Sequence, residues 1–186
     1  MAPIPNFSHN HVLPPHIGNP VNQQDVSPYR CTTVELCQRF ATSQQRKRIL
    51  KGFLEFRGRM TQVGIIEGFQ WLDGSFMENI EAAENRSPND LDLVTFYNGQ
   101  NSPDQTTLLA NFPEFCNSTL SKQNYQLDHY LCDFCYRPDV TVEATRYWLQ
   151  LFTHNRHGVW KGILSIPLNT TADDANALAY LNGLNI

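Results

Sequence analysis

Two aspartates one residue apart open an apolar segment of this 186-residue chain, in the stretch "NDLDLVTF". If the segment is a strand, Asp90 and Asp92 project from one face while Leu91 and Leu93 project from the other. Two carboxylates held so close repel each other unless a cation neutralises them. Mg²⁺ is suited to this because it takes one or two carboxylates together with phosphate oxygens and water. The spacing therefore predicts a divalent-cation site suited to phosphoryl chemistry.

A glycine–serine pair follows the preceding apolar segment, in "WLDGSF". Gly74 has no Cβ to obstruct a ligand, and Ser75 offers a hydroxyl and a backbone amide at the start of an expected short helix. Free N–H groups at such a start favour anions, so the pair is suited to the phosphates of a nucleotide. Both motifs also have a structural interpretation, as an ordinary strand-to-helix turn and as a capped loop whose aspartates bond local backbone.

The order of these motifs resembles the nucleotidyltransferase superfamily, which includes DNA polymerase beta, kanamycin-type nucleotidyltransferases and the minimal nucleotidyltransferases of toxin–antitoxin pairs. The resembling residues are "GS" after a hydrophobic strand and "DLDLV" after a short helix. A wider likeness over about residues 13–168, including "LPP" and "YWLQLFTHNRHGVWKGIL", is to an uncharacterised bacterial family of nucleotidyltransferase-like proteins. The resemblance implies a mixed β-sheet flanked by helices and chemistry on an NTP such as ATP that depends on Mg²⁺ or Mn²⁺.

Position by position, the resemblance assigns phosphate binding to the Gly74–Ser75 pair and metal binding to Asp90 and Asp92. The superfamily uses a third carboxylate on a later strand, either as a general base or as a further metal ligand. Asp128 in "YQLDHYLC" is the best match, and Asp133 is the alternative. Asp128 also has a structural interpretation, as a solvent-facing residue at the start of a strand.

Two cations later in the chain are candidates to reach triphosphate oxygens, Lys161 in "VWKGIL" and Arg156 in "HNRHG". A transferring phosphoryl group needs positive charge close to the negative charge that develops on it. The structural alternative for both is a polar turn before an edge strand, with Gly162 allowing close packing.

The resemblance implies transfer of a nucleoside monophosphate from an NTP to an acceptor, with release of pyrophosphate. The implied acceptors are an RNA or tRNA end, a protein hydroxyl or a small molecule. The implied setting is a toxin–antitoxin or phage-defence system with a partner protein encoded alongside. The alternative is a catalytically silent, antitoxin-like protein of the same fold that binds or regulates. A third interpretation, a nucleic-acid-binding module, depends on a basic group formed by Arg46, Lys47, Arg48 and Lys51.

Strand and helix patterns alternate along the chain, which predicts an α/β (α+β) domain around a mixed sheet. Most of the prolines lie in residues 1–30, which predicts an extended arm, followed by a single nucleotidyltransferase-like domain over residues 31–186. Predicted strands cover residues 66–72, 91–97, 125–136 and 159–168, and the main predicted helices cover residues 33–41, 44–63, 76–83, 138–155 and 171–184.

Bulk properties narrow the choice of partners. A formal charge of −4 and a pI near 5.8 exclude a chain-wide field that would attract nucleic acid. The sequence has no apolar run long enough to span a membrane and no basic, apolar leader, so we expect a cytoplasmic protein without membrane contact. Its five cysteines, an odd number in apolar segments, favour reduced thiols. The Cys132–Cys135 pair leaves a redox or zinc role open.

Overall fold

The computed structural model describes residues 4–186. Within that range the chain forms a five-stranded mixed sheet with helices packed on both faces, so the predicted α/β (α+β) class is confirmed. The order of the strands across the sheet is β1-β5-β2-β3-β4. Their bounds are β1 Tyr29–Arg30, β2 Gly68–Asp73, β3 Leu91–Tyr97, β4 Leu127–Asp133 and β5 Leu164–Pro167.

Local signals account for the main helix ends. Thr32 closes a capping box with Glu35, and the Ser43 hydroxyl accepts a hydrogen bond from the Arg46 N–H. The long helix stops at Gly64, whose φ of 90° is left-handed. None of the helices described in residues 4–186 is long and apolar enough to cross a membrane. Their bounds are α1 Thr33–Phe40, α2 Gln44–Val63, α3 Ile80–Glu84, α4 Gln105–Asn111, α5 Pro113–Cys116, α6 Ser118–Tyr125, α7 Pro138–Phe152 and α8 Thr171–Gly183.

The register of the three strands β2, β3 and β4 brings their polar ends to one edge of the sheet. β2 is antiparallel to β3, and β3 is parallel to β4. The end of β2 therefore lies beside the beginnings of β3 and β4. This is the edge at which the sequence places its acidic and glycine–serine motifs.

The strands bury alternate residues on opposite faces of the sheet. Leu72 and Leu93 belong to the larger core, which contains α1, α2 and α8 residues such as Phe53. Trp71 and Val94 belong to a smaller core on the other face, which α7 covers with Trp148 and Phe152. Because strand side chains alternate with a period of two, β2, β3 and β4 each contribute to both cores.

The proline-rich segment packs onto the domain along much of its described length. Val12 and Leu13 are buried, and the Leu13 carbonyl accepts a hydrogen bond from Gly162 N–H at 2.8 Å. Tyr29 and Arg30 form an edge strand parallel to β5. The domain boundary predicted after residue 30 therefore follows directly on a strand of the sheet. Residues 1–3 of the predicted arm lie outside the described residues.

Candidate active site

Three aspartates form a row across three adjacent strands. Asp73 at the end of β2 pairs in register with Asp92 on β3, and Asp92 pairs in register with Asp128 on β4. Neighbouring strands lie about 4.8 Å apart, so the row is compact. The three share the sheet face that carries Trp71 and Cys132 further along the strands. The structure thus places Asp92 and Asp128 side by side and adds Asp73 to them.

Asp90 joins this row from the loop just before β3. Lys122 on α6 contacts Asp90 Oδ2 at 2.5 Å and lies 3.8 Å from Asp128 Oδ2. One ammonium group therefore faces two of the carboxylates that the sequence predicts as metal ligands. The contact with Asp90 raises the pKa of Lys122 above its ordinary value.

Asp92 has the most perturbed carboxyl group in the row. Its pKa is raised to about 7, first by burial and then by the charges of Asp90, Asp73 and Asp128, while the charge of Lys161 opposes them. Desolvation and like charges both disfavour the ionised form. A carboxyl group in this state gains most from a cation placed beside it.

The Gly74–Ser75 turn lies directly against Asp92. Gly74 has a φ of 80°, and a Cβ built there would be 1.7 Å from Asp92 Oδ2. The short helix predicted over residues 76–83 is instead a 3₁₀ turn at Ser75–Met77 followed by α3, which begins at Ile80. Any phosphate contact at the turn would therefore use its backbone and the Ser75 hydroxyl rather than the N-terminus of an α-helix.

Lys161 has partners other than the predicted triphosphate. Its side chain is 2% exposed, and Nζ contacts Asp73 Oδ1 at 2.8 Å, Glu78 Oε1 at 2.7 Å and the Gly74 carbonyl at 3.4 Å. The contacts with Glu78 and the Gly74 carbonyl are hydrogen bonds, and the contact with Asp73 is an ion pair. Burial favours the neutral amine, but the charges of Asp73 and Glu78 outweigh it and raise the pKa of Lys161. Lys161 is thus a buried support of the turn in this structure, and the predicted contact with phosphate would require its ammonium group to leave these partners.

Asp73 is held by the same ion pair. Burial raises its pKa to about 6, although Lys161 opposes that effect through its charge and its hydrogen bond. Asp73 is therefore the supporting member of the row. Asp128 has Lys122 at 3.8 Å, and Asp92 makes no ion pair among the described residues.

Arg156 lies exposed in the turn between α7 and β5. The neighbouring His157 has Nε2 3.7 Å from Glu84 Oε1, at the end of α3. The described contacts do not bring Arg156 to the aspartate row, so its predicted contact with a triphosphate stays a prediction.

Asp133, the alternative third carboxylate, lies at the opposite end of β4 from Asp128. Five residues of strand separate the two by roughly 16 Å. Asp133 Oδ1 accepts hydrogen bonds from Gly99 N–H at 3.0 Å and Cys135 N–H at 2.8 Å. The geometry therefore favours Asp128 for the site and gives Asp133 a structural role.

The sequence interpretation missed three charged residues near the row, Asp73, Glu78 and Lys122. For Asp73 a signal was present, because it continues the alternation of Phe69 and Trp71 in β2 and directly precedes Gly74. Lys122 gave no such signal, since a lysine on a short polar helix is ordinary.

Two other candidate sites have structural roles. Arg46, from the predicted basic group, is buried and binds Glu81 and the carbonyls of Phe76 and Glu78. Lys47 donates a hydrogen bond to the Leu184 carbonyl. Cys132 is a buried free thiol whose pKa is raised by burial.

The donor set at the row consists of carboxylate oxygens, which suit Mg²⁺ or Mn²⁺. Within residues 4–186, no three His, Cys, Asp or Glu side chains are close enough together to hold a metal ion by themselves. Mg²⁺ usually binds one or two carboxylates and completes its coordination with water and substrate phosphates. The residues therefore fit a metal that arrives with a nucleotide better than a permanently bound one.

A depression of about 450 Å³ adjoins the row on its β4 side. It lies between α6 and β4, with Asp128 and Lys122 on the side of the row. Gly74 lies beyond β3 on the other side, at the end of β2. A second substrate entering the depression would therefore meet Asp128 first. The other lining residues are Ser118, Thr119, Gln123 and Tyr130.

Comparison with known proteins gives the chain a family but no activity. The chain belongs to a family of unknown function (DUF6932), whose model matches residues 5–167. No curated protein and no solved structure is significantly similar to it.

Proposed function

We propose that this protein is a metal-dependent nucleotidyltransferase that moves a nucleoside monophosphate from an NTP to an acceptor. The observation that carries the proposal is the in-register row of Asp73, Asp92 and Asp128, with Gly74 packed against the carboxylate of Asp92. Two motifs that are separate in the sequence thus lie side by side in the folded protein. One supplies carboxylates, and the other is the Gly74–Ser75 turn that we assign to phosphate. A strand turn or a capped loop would not need this convergence.

The proposal assigns each group a role. Asp92, Asp90 and Asp128 supply carboxylates to Mg²⁺ or Mn²⁺, one or two to each ion together with phosphate oxygens and water, and the turn at Gly74 and Ser75 accommodates the β- and γ-phosphates. Asp73 and Lys161 keep that turn in place. When bound, the metal neutralises charge on the triphosphate and makes the α-phosphorus more electrophilic.

The bond changes in this reaction balance without any further reagent. An acceptor oxygen forms a bond to the α-phosphorus, and the bond between that phosphorus and the α,β-bridging oxygen breaks. Pyrophosphate leaves with the bond electrons, and Asp128 accepts the proton of the acceptor hydroxyl. The position of Asp128 beside the depression supports this assignment, since the acceptor would enter there.

The class of acceptor stays open among an RNA end, a protein hydroxyl and a small molecule, and the proposed setting is the cytoplasm. A toxin–antitoxin or phage-defence system remains the setting that the motif resemblance implies. The experiment that tests the function therefore leaves the acceptor free. Purified protein is incubated with each α-³²P-labelled NTP, Mg²⁺ and a total cell extract, and the labelled RNA, protein and small-molecule fractions are separated.

We expect label in one fraction with the wild-type protein and loss of at least 100-fold with Asp92→Asn. Asp133→Asn is the matched control, because that aspartate lies at the other end of β4 and should leave labelling within a few-fold of wild type. Labelling that survives in Asp92→Asn would show that another protein in the extract or another site is responsible. Absence of label from every fraction would count against turnover.

A second candidate is a nucleotide-binding protein without turnover. It is favoured by one observation, that Lys122 and Lys161 already neutralise part of the acidic row from within the protein. Thermal unfolding with Mn²⁺ and a non-hydrolysable NTP analogue separates the two candidates. Stabilisation that Asp92→Asn abolishes, without label transfer, would select this second candidate, and no stabilisation would contradict both.

A further inference from the structure

Lys122 occupies an unusual position for an exposed lysine. Its ammonium group lies 2.5 Å from Asp90 Oδ2 and 3.8 Å from Asp128 Oδ2, yet 53% of its side chain is exposed. It projects from α6 toward the edge where β3 and β4 begin. The positive charge thus lies between two carboxylates that the proposed function assigns to the metal.

The two lysines at the row differ in how firmly they are held. Lys161 is buried, and its ammonium group hydrogen-bonds Glu78 and the Gly74 carbonyl and forms an ion pair with Asp73. Lys122 has one close carboxylate, Asp90, and a second one near the limit of an ion pair. The lysine side chain is half exposed, so water can replace the contact at a modest cost in free energy, although the Asp90 side chain itself is only 15% exposed. Lys122 is therefore the lysine whose ammonium group can move away from the aspartates.

The space needed for that movement lies next to the contact. The depression of about 450 Å³ between α6 and β4 is lined by Lys122 itself together with Ser118, Gln123 and Tyr130. A lysine side chain has four rotatable carbon–carbon bonds, so its ammonium group can turn into this space while α6 stays in place.

We propose that Lys122 is a built-in counter-ion of Asp90 and Asp128, which holds these carboxylates when no divalent metal is bound and is displaced into the adjoining depression when a metal binds. This inference rests on the proposed function for the identity of the metal ligands. Lys122 thereby keeps the acidic row from accumulating unbalanced charge, and it lowers the affinity for metal alone. Metal that arrives with a nucleotide has additional phosphate ligands and outcompetes the lysine.

The direct test is a calorimetric titration of the whole protein with Mn²⁺ alone. We expect Lys122→Met to bind Mn²⁺ about fivefold more tightly than wild type, which corresponds to the removal of one exposed competing charge. Lys122→Arg keeps the charge and should bind like wild type or more weakly. Lys51→Met is the control for loss of a lysine elsewhere, because Lys51 on α2 has no ion pair among the described residues.

A second measurement uses the wild-type protein and does not depend on any variant being folded. Acetylation of lysines by a limiting amount of an amine-reactive reagent is monitored by mass spectrometry with and without Mn²⁺. A lysine released from its contact with Asp90 is more accessible to the reagent, so we expect the modification rate of Lys122 to rise at least twofold with Mn²⁺ while that of Lys51 is unchanged.

The outcomes separate this inference from the proposed function. If Mn²⁺ binds wild type but Lys122→Met binds no more tightly, and the modification rate of Lys122 does not rise, then the metal site stands and the counter-ion role is wrong. If Mn²⁺ binds neither protein even with an NTP analogue, both proposals are overturned.

Discussion

Gly74 and Asp92 are in direct contact, and only a glycine permits it. A Cβ at position 74 would lie 1.7 Å from Asp92 Oδ2 and 2.7 Å from the carboxyl carbon, and the backbone at Gly74 has a φ of 80°. The glycine–serine turn and the Asp-x-Asp motif are therefore one unit in the folded protein. This contact gives the first prediction.

Gly74→Ala should lower the free energy of unfolding by about 3 kcal/mol, because it adds both backbone strain and a clash in a filled space. The clash involves the Asp92 carboxylate, so Asp92→Ala in the same chain should recover part of that loss. A double-mutant cycle in urea measures this coupling, and we expect it to exceed 1 kcal/mol. Additive losses would mean that the two residues do not share the space.

The raised pKa of Asp92 predicts a stability that depends on pH. Folding favours its protonated form up to about pH 7, whereas the carboxyl group ionises near its ordinary pKa of 3.8 in the unfolded chain. The contribution of Asp92 to stability is therefore retained below pH 4, falls as the pH rises from about 4 to 7, and stays low above that.

Asp92→Asn removes this loss. In the presence of EDTA we expect the variant to match wild type near pH 4 and to be more stable by on the order of 2 kcal/mol at pH 8. Urea unfolding across this range measures the difference. Asp139→Asn, which changes an exposed residue at the start of α7, should gain no stability as the pH rises. A constant difference between Asp92→Asn and wild type at all pH values would contradict the assignment.

Substitutions of Asp128 and Asp133 should have different effects, although both residues lie on β4. The first should impair metal binding, and the second should impair stability. Asp128→Ala should abolish the rise in melting temperature that Mn²⁺ produces, which for wild type at a hundredfold excess over Kd corresponds to about 2.7 kcal/mol. Asp133→Ala should keep that rise but lower the melting temperature without metal, because the N–H groups of Gly99 and Cys135 lose their acceptor. We expect a loss of about 1–2 kcal/mol. The reverse pattern would move the site to the other end of the strand.

Alanine substitutions of Arg46 and Arg48 should differ strongly in their effect on the free energy of unfolding, although the two residues lie only two positions apart on α2. Arg46→Ala leaves the carbonyls of Phe76 and Glu78 and the carboxylate of Glu81 without their donor, and we expect a loss of about 2–3 kcal/mol. Arg48 is exposed and bonds only Gln45 among the described residues, so Arg48→Ala should change stability by less than 0.5 kcal/mol. Urea unfolding compares them, and equal effects would contradict the buried role of Arg46.

The predicted group of basic residues can be tested in the same variants. Because Arg46 and Lys47 are engaged within the protein, the group has fewer free cations than its sequence indicates. Salt-dependent RNA retention that is lost in Arg48→Ala would nevertheless support a nucleic-acid surface.

Features that depend on neighbouring residues could be predicted from the amino-acid order. The Ser43 cap, the Gly64 stop and the bounds of β3 follow from hydrogen bonds and backbone angles within a few residues. That Asp90 lies near Asp92 likewise follows from their spacing of two residues. The position of the Gly74–Ser75 turn directly after β2 belongs to the same group.

The partners of these residues could not be predicted in this way, because they depend on strand order and on packing between distant segments. Asp73 belongs to the row through the register of β2 with β3, and Asp128 through the register of β4. The sequence predicts Lys161 as a phosphate ligand, whereas in the fold it is buried between Asp73 and Glu78. Lys122 faces Asp90 only because α6 packs beside β4. No local sequence pattern determines these distances, because each depends on the packing of many residues across the core.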